Sequence, residues 1–274
     1  MSESKTSPAG SLVIALLALT GLTVIGFFVA KTWLPHVASA HGQGIDNVTL
    51  YLMVATGLIF VAGHTILVWF VWRFSRSDAP HYRPISARLE WKWALLPVIV
   101  MCVIAEGGVV VVGMPAWAAV YAEDPPHPLQ LEVVGKQFEW FTRYPGKDGT
   151  FGKTIPEKVD DVSNPLGLDE ADPAAKDDVI LRGTLRLPRD RAIRIRLRTQ
   201  DVIHSFTVPQ FRVKQDLIPG FVSRVQFRAV ETGTYELACA ELCGLGHFRM
   251  RAVVSVTTEA EFEQWLAQQH GWFE

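Results

Sequence analysis

Residues 11–30, SLVIALLALTGLTVIGFFVA, carry no charged side chain, and as a helix they would run about 30 Å, the thickness of one bilayer core. Two more such stretches follow, Thr49 to Trp72 (TLYLMVATGLIFVAGHTILVWFVW) and Trp93 to about Ala116 (WALLPVIVMCVIAEGGVVVVGMPA), with Trp or Tyr near the ends where interfaces hold aromatic rings. The N-terminal part therefore reads as an extra membrane helix with its linker (1–48) and a membrane hairpin (49–116). The first stretch also imitates a secretory signal, because Ala38-Ser39-Ala40 has the small residues of a cleavage site. Against that, a signal core is usually about 7 to 15 residues and close to its cut. This run is 20 residues long and ends eight residues before Ala38. The expectation is a retained helix.

Orientation follows from the loops. RFSRSDAPHYRPISARLEWK holds Arg73, Arg76, Arg83, Arg88 and Lys92, whereas the loop after the first stretch holds little beyond Lys31. Positive charge favours the cytoplasmic side, which puts everything after Ala116 outside, on the periplasmic face of a bacterial-type inner membrane. With 49% apolar residues and a formal net charge of -2, the composition suits neither a disordered nor a nucleic-acid-binding chain.

From Leu129 the pattern changes to short alternating runs such as LQLEVVG, VILRGTLRLP, RAIRIRLRT, SRVQFRAV and MRAVVSVT. Period-two alternation over many short segments predicts an antiparallel sandwich or barrel in residues 117–274. In IRIRLR, Ile193, Ile195 and Leu197 are expected to face the core. Arg194, Arg196 and Arg198 would then form a solvated face or one docked on another subunit. The insert EKVDDVSNPLGLDEADPAAKDD (157–178) has eight carboxylates, two lysines and two prolines without apolar periodicity, so it reads as a solvated loop or a patch that steers a basic partner. Thr258 and Glu261 have capping-box spacing before Phe262, Trp265 and Leu266, predicting a short C-terminal helix.

The chemistry concentrates in ACAELCGLGHFRM (238–250), which holds Cys239 and Cys243 with His247 and Met250. A disulfide between the cysteines has no use for an imidazole and a thioether at fixed offsets, and thioether is not a zinc ligand. Soft thiolate, imidazole and thioether together select copper. His204, in DVIHSFTVP, offers the second histidine that such a site needs. Two thiols where a mononuclear site needs one favour two coppers. There is no CxxCH haem site, no Gly-rich phosphate loop and no internal repeat.

His204 with Cys239-x-Glu241-x-Cys243-x3-His247-x2-Met250, in a β domain after a membrane hairpin, resembles cytochrome c oxidase subunit II. LEWKWALLP (89–97), GKQF (135–138) and KQDLIPG (214–220) resemble further stretches of that family. The resemblance implies a cupredoxin-like Greek-key fold and a binuclear CuA centre. Cys239 and Cys243 would bridge, His204 and His247 would be terminal, Met250 would be axial to one copper, and the Glu241 carbonyl would be weakly bound to the other. It also implies that the Glu241 carboxylate reaches a magnesium ion shared with subunit I, and that Glu90 marks the entrance of a proton path. Electrons would come from a separate cytochrome c and pass to haem in subunit I. No haem and no catalytic acid, base or nucleophile for oxygen chemistry is expected in this chain. The CuA subunit of a nitric oxide reductase would look nearly the same, a membrane-anchored copper chaperone is a further alternative, and a quinol oxidase subunit would lack the copper ligands.

Two departures stand out. The family usually has two membrane helices here, leaving 11–30 unexplained. Where it has Trp in its aromatic strand this chain has Phe138, followed by Glu139 and Trp140, so Phe138 and Trp140 both become electron-input candidates. By strand alternation Trp140 and Tyr144 are expected on the face of Phe138. Glu106, within the third stretch, is a carboxylate that hydrocarbon tolerates only when paired or protonated, and it is expected to face subunit I.

Overall fold

The computed structural model describes residues 8–29, 34–75, 84–121 and 126–274. Lys31, Arg76 and Arg83, used above for orientation, lie outside the described residues. Three helices, Pro8–Val29, Gly42–Phe74 and Ala87–Tyr121, are long and apolar enough to cross a membrane. Leu, Ile, Val and Phe are exposed all along them, as befits segments that lipid surrounds.

Several polar side chains in these helices are satisfied within their own backbone, while the Tyr51 hydroxyl of the second helix donates to the Ile104 carbonyl of the third. Thr20 and Thr23 each donate at 2.8 Å to the carbonyls of Leu16 and Leu19. Thr56 and Thr65 donate to Leu52 and Val61 at 2.7 and 2.8 Å, and His64 Nδ1 lies 2.9 Å from the Phe60 carbonyl. An unmade bond is expensive in hydrocarbon, so back-bonding is what lets these residues occupy a span. The third helix widens into a π turn over Met101–Glu106, four residues after Pro97, with the Gly107 N–H reaching the Cys102 carbonyl.

A second compact unit comprises Pro35–Gln43 and Trp117–Glu274. Its strands are β1 (Leu129–Lys136), β2 (Glu139–Tyr144), β3 (Val179–Arg182), β4 (Thr184–Pro188), β5 (Ile193–Thr199), β6 (His204–Val208), β7 (Val213–Leu217), β8 (Ser223–Phe227), β9 (Gly233–Cys239) and β10 (Arg251–Thr257). They form two five-stranded sheets, ordered β3-β2-β1-β5-β8 and β4-β10-β9-β6-β7. The β1–β5 and β4–β10 pairs are parallel and the others antiparallel. Membrane helices followed by a β-sandwich and a short C-terminal helix are the fold class expected from the sequence.

Ile193, Ile195 and Leu197 are fully buried in the core with Leu131, Val133 and Phe206, as their alternation predicts. Tyr144 ties the two sheets together: its hydroxyl donates to the Arg186 carbonyl and accepts from the Arg186 N–H, both at 2.8 Å. The helix Glu259–Ala267 starts with the predicted reciprocal cap between Thr258 and Glu261, and it packs Phe262 and Trp265 against the Tyr144 ring.

The insert and the basic strand are both more engaged with the first sheet than their composition suggests. Leu166, Leu168 and Ala175 of the insert are buried against Val134, Phe141 and Ile180, so 157–178 is a loop pinned to the first sheet by these residues while Asp160, Asp161 and Glu170 stay exposed. The arginine face of β5 is met by β1 and by the segment just before the insert: Arg198 pairs with Glu132 at 3.3 Å and with Thr154 at 3.2 Å, and Arg196 lies 5.6 Å over the Phe151 ring. Beneath it the Arg143 side chain, 2% exposed, bridges Glu132 at 3.2 Å and Asp178, whose side chains are 1% and 0% exposed. The carboxylates are turned inward onto arginine, which is how a buried charge is tolerated.

Candidate metal centre

Adjacent strands bring the ligand segments together. Phe206 of β6 is registered with Cys239 at the end of β9, and the Ala240 N–H donates to the Ser205 carbonyl at 3.0 Å. His204, at the head of β6, therefore faces the start of the 240–250 loop. Cys239 Sγ lies 3.9 Å from His204 Nδ1, 3.9 Å from Cys243 Sγ and 3.2 Å from the Glu241 carbonyl oxygen. Cys243 Sγ lies 3.6 Å from His247 Nδ1 and 3.7 Å from Met250 Sδ. All the donors named from the sequence converge here except the exposed carboxylate of Glu241, whose backbone carbonyl is the part that joins.

The two sulfurs are much too far apart for a disulfide, which needs about 2.05 Å, and both cysteines are free. Their separation is below twice a metal–thiolate distance of about 2.3 Å, so both can bind one ion, as bridging requires. Burial is substantial: His204, Cys243 and Met250 are buried. Burial pushes the Cys239 thiol up, but His204 and the backbones of Glu241 and Ser205 outweigh it and bring Cys239 down to about 6. Burial and the neighbouring Cys239 sulfur push Cys243 up to about 11. A two-sulfur, two-imidazole, one-thioether set is the donor chemistry of copper.

Sequence reasoning missed the group that holds these ligands. Asp201 Oδ1 accepts from His204 Nε2 at 2.8 Å, which leaves Nδ1 facing the sulfurs, while Asp201 Oδ2 accepts from the Gln137 N–H at 2.7 Å. Despite burial, the Gln137 and His204 hydrogen bonds hold the Asp201 carboxyl below the usual carboxylate range. The Gln137 side-chain amide then donates to the Cys243 carbonyl at 2.5 Å. The β1–β2 turn is thus clasped to both ligand segments. A carboxylate behind a ligand histidine fixes its tautomer and orientation, so Asp201→Ala is expected to weaken copper binding by roughly 10–100-fold. Competitive chelator titration checks it; unchanged affinity would refute the role.

Phe138 sits in the turn between β1 and β2, outside the alternation of β2, and its ring lies over the ligand loop. A Cβ on Gly246 would fall 2.4 Å from Phe138 Cδ2, so glycine there admits this ring. Trp140 and Tyr144 lie deeper in the same core on which the partly buried Phe138 packs: both are fully buried, and Trp140 meets His204 edge-on at 6.1 Å. Of the three rings only Phe138 borders solvent. Glu90 lies in the exposed first turn of the third helix and Glu106 in its π turn, and both belong to the membrane unit.

Residues 129–257 match the family described as cytochrome C oxidase subunit II, periplasmic domain. The chain is 33% identical over 264 residues to the alternative cytochrome c oxidase subunit 2 of Bradyrhizobium diazoefficiens, covering 95% of this chain and 92% of that protein. It is 30% identical to cytochrome c oxidase subunit 2 of a Synechocystis species, covering 93% of this chain and 82% of that one. Among solved structures it is similar to the periplasmic domain of subunit II of cytochrome oxidase of Bradyrhizobium japonicum, with 29% identity, 52% of this chain and 94% of that chain covered, and a TM-score of 0.38.

Proposed function

Because this chain belongs to the cytochrome c oxidase subunit II family, we propose that it is the copper-bearing, electron-input subunit of an aa3-type or related haem-copper oxidase. It is a membrane-anchored part of an oxidoreductase complex. The observation that carries the reading is the pair of free cysteine sulfurs 3.9 Å apart, flanked by two imidazoles and a thioether. Cys239 and Cys243 would hold two coppers jointly, with His204, His247, Met250 and the Glu241 carbonyl completing the set. The Glu241 carboxylate, exposed on the same loop, is the candidate magnesium ligand at the contact with subunit I. When bound, the copper pair supplies one-electron redox chemistry.

This chain's own contribution is to hold the donors still. Ligands fixed by a strand ladder and by the Asp201–Gln137 clasp move little when charge changes. The donor is a separate cytochrome c, and the acceptor is haem in subunit I, where oxygen would be reduced and protons pumped. Leu242, Leu245 and Phe248 of the ligand loop, 84%, 97% and 75% exposed, are surfaces for partner subunits or the donor to cover. Glu106, in hydrocarbon, would face subunit I. The test is copper content and EPR of the protein purified from membranes: two coppers per chain and one unpaired electron spread over both nuclei are expected. One copper with an ordinary blue-copper spectrum would refute the reading.

Phe138 is the electron-input ring, because it alone of the three borders solvent while lying on the ligand loop. Phe138→Ala is expected to slow copper reduction by reduced cytochrome c while leaving the copper absorption spectrum unchanged; stopped-flow mixing reads both. An unaltered rate would move the route elsewhere. Glu90, at the cytoplasmic start of the third helix, is the proposed proton-path entrance. Glu90→Gln is expected to lower steady-state turnover without changing the copper reduction rate, and unchanged oxygen consumption would count against it.

A further inference from the structure

The segment before the second helix is part of the β unit. Ala38 is fully buried in the main core beside Phe211 and Ala229, and Ser39 forms a β-bridge with Ala229. The Ala38 N–H donates to the Gln210 carbonyl at 2.8 Å, the Ala40 N–H to the Arg228 carbonyl at 3.0 Å, and the Val230 N–H to the Ala38 carbonyl at 3.0 Å. Ser39 Oγ donates to the Phe211 carbonyl at 2.8 Å, and Arg212 Nη2 to the Pro35 carbonyl at 2.7 Å. Residues 209–212 lie between β6 and β7 of one sheet and residues 228–230 follow β8 of the other, so this short stretch laces the two sheets at one end.

We propose that residues 35–41 are a permanent strap of the exported domain, so that the chain is not cut after Ala40 and the helix Pro8–Val29 stays attached as a third membrane anchor. A cut there would carry Ala38 and Ser39 away, strip the carbonyls of Gln210, Phe211 and Arg228 and the Val230 N–H of their partners, and open the core at Phe211 and Ala229. Unpaired buried backbone groups are strongly disfavoured. It would also create an ammonium terminus on His41, whose residue is 8% exposed. Burial already pushes the His41 imidazole below its ordinary value, so this pocket disfavours a cation. Gly42 closes the turn tightly: a Cβ there would fall 2.6 Å from Val37 Cγ1. The inference does not depend on the metal.

The test uses the full chain produced in a bacterium and purified from its membranes. Intact mass is measured for the wild type and for Ala40→Glu, which destroys the small residue that a signal peptidase needs beside the bond but places the new side chain in solvent. Both proteins are expected to keep the residues before Ala38 and to melt alike. Ala38→Glu, which buries a charge, is expected to lower the thermal midpoint of the β-sheet circular dichroism by roughly 5 °C or more, or to prevent folding. A wild-type chain that begins at His41 while Ala40→Glu remains longer would overturn the proposal. So would an Ala38→Glu protein that melts with the wild type.

Discussion

Cys239→Ser, in the full protein loaded with copper, is expected to reduce bound copper from two ions per chain to one or none and to abolish the shared-electron EPR pattern. Cys239 Sγ lies within 4 Å of His204, Cys243 and the Glu241 carbonyl together. A serine hydroxyl is a hard donor that stays protonated at neutral pH and does not join two soft ions, so its loss separates the His204 side of the centre from the Cys243 side. Cys243 would keep His247 and Met250, enough for a mononuclear site. Metal analysis with EPR decides it: two coppers and an unchanged spectrum in the serine variant would mean that Cys239 does not bridge.

Arg143→Ala is expected to destabilise the exported domain by about 3–5 kcal/mol, lowering its thermal midpoint by roughly 10 °C, because removing one partner of a buried ion pair leaves uncompensated charge. Here two carboxylates are stranded at once. Among the described residues Glu132 would retain Arg198, and Asp178 the Gly152 N–H at 3.0 Å. Neutralising Asp161, whose carboxylate is exposed, is expected to change the melt little and to affect mainly the salt dependence of association with the proposed donor. Asp178 cannot steer a donor as its place in the acidic insert suggests, since its side chain is fully buried against Arg143. Thermal melts of the purified variants separate the two classes, and an Arg143→Ala protein that melts with the wild type would show the network to be dispensable.

The legible parts of this chain were those whose signals are local. Charge-free runs, IRIRLR alternation and the Thr258–Glu261 cap each spell out an element within a few residues, and the ligand loop spans only Cys239 to Met250. His204 was legible because imidazole next to a predicted strand end is chemically conspicuous. The clasp was not: Gln137 meets Asp201 across 64 positions and Cys243 across 106, through polar groups that are ordinary in any loop. The strap was hidden for the same reason, since Ser39 meets Phe211 across 172 positions and Ala-Ser-Ala has no periodicity. The insert misled through its composition, because eight carboxylates mask the two leucines, Leu166 and Leu168, that decide its packing. Phe138 lies in the turn, one residue before β2 begins, yet packs on the core that holds Trp140 and Tyr144, so alternation predicts its side of the sheet but not its turn position.

The register between β6 and β9 has a bearing on the order of assembly. Phe206 and Cys239 are paired through backbone hydrogen bonds that owe nothing to a metal, so the closure of the long intervening segment is completed by folding of the sheets. On the proposed reading, copper would enter a site whose flanking strands pair without it. Filling and emptying the site would leave the domain standing, in contrast to small zinc modules that collapse when stripped. A subunit built this way would keep its fold between losing and regaining metal, so metallation and synthesis would be separable steps.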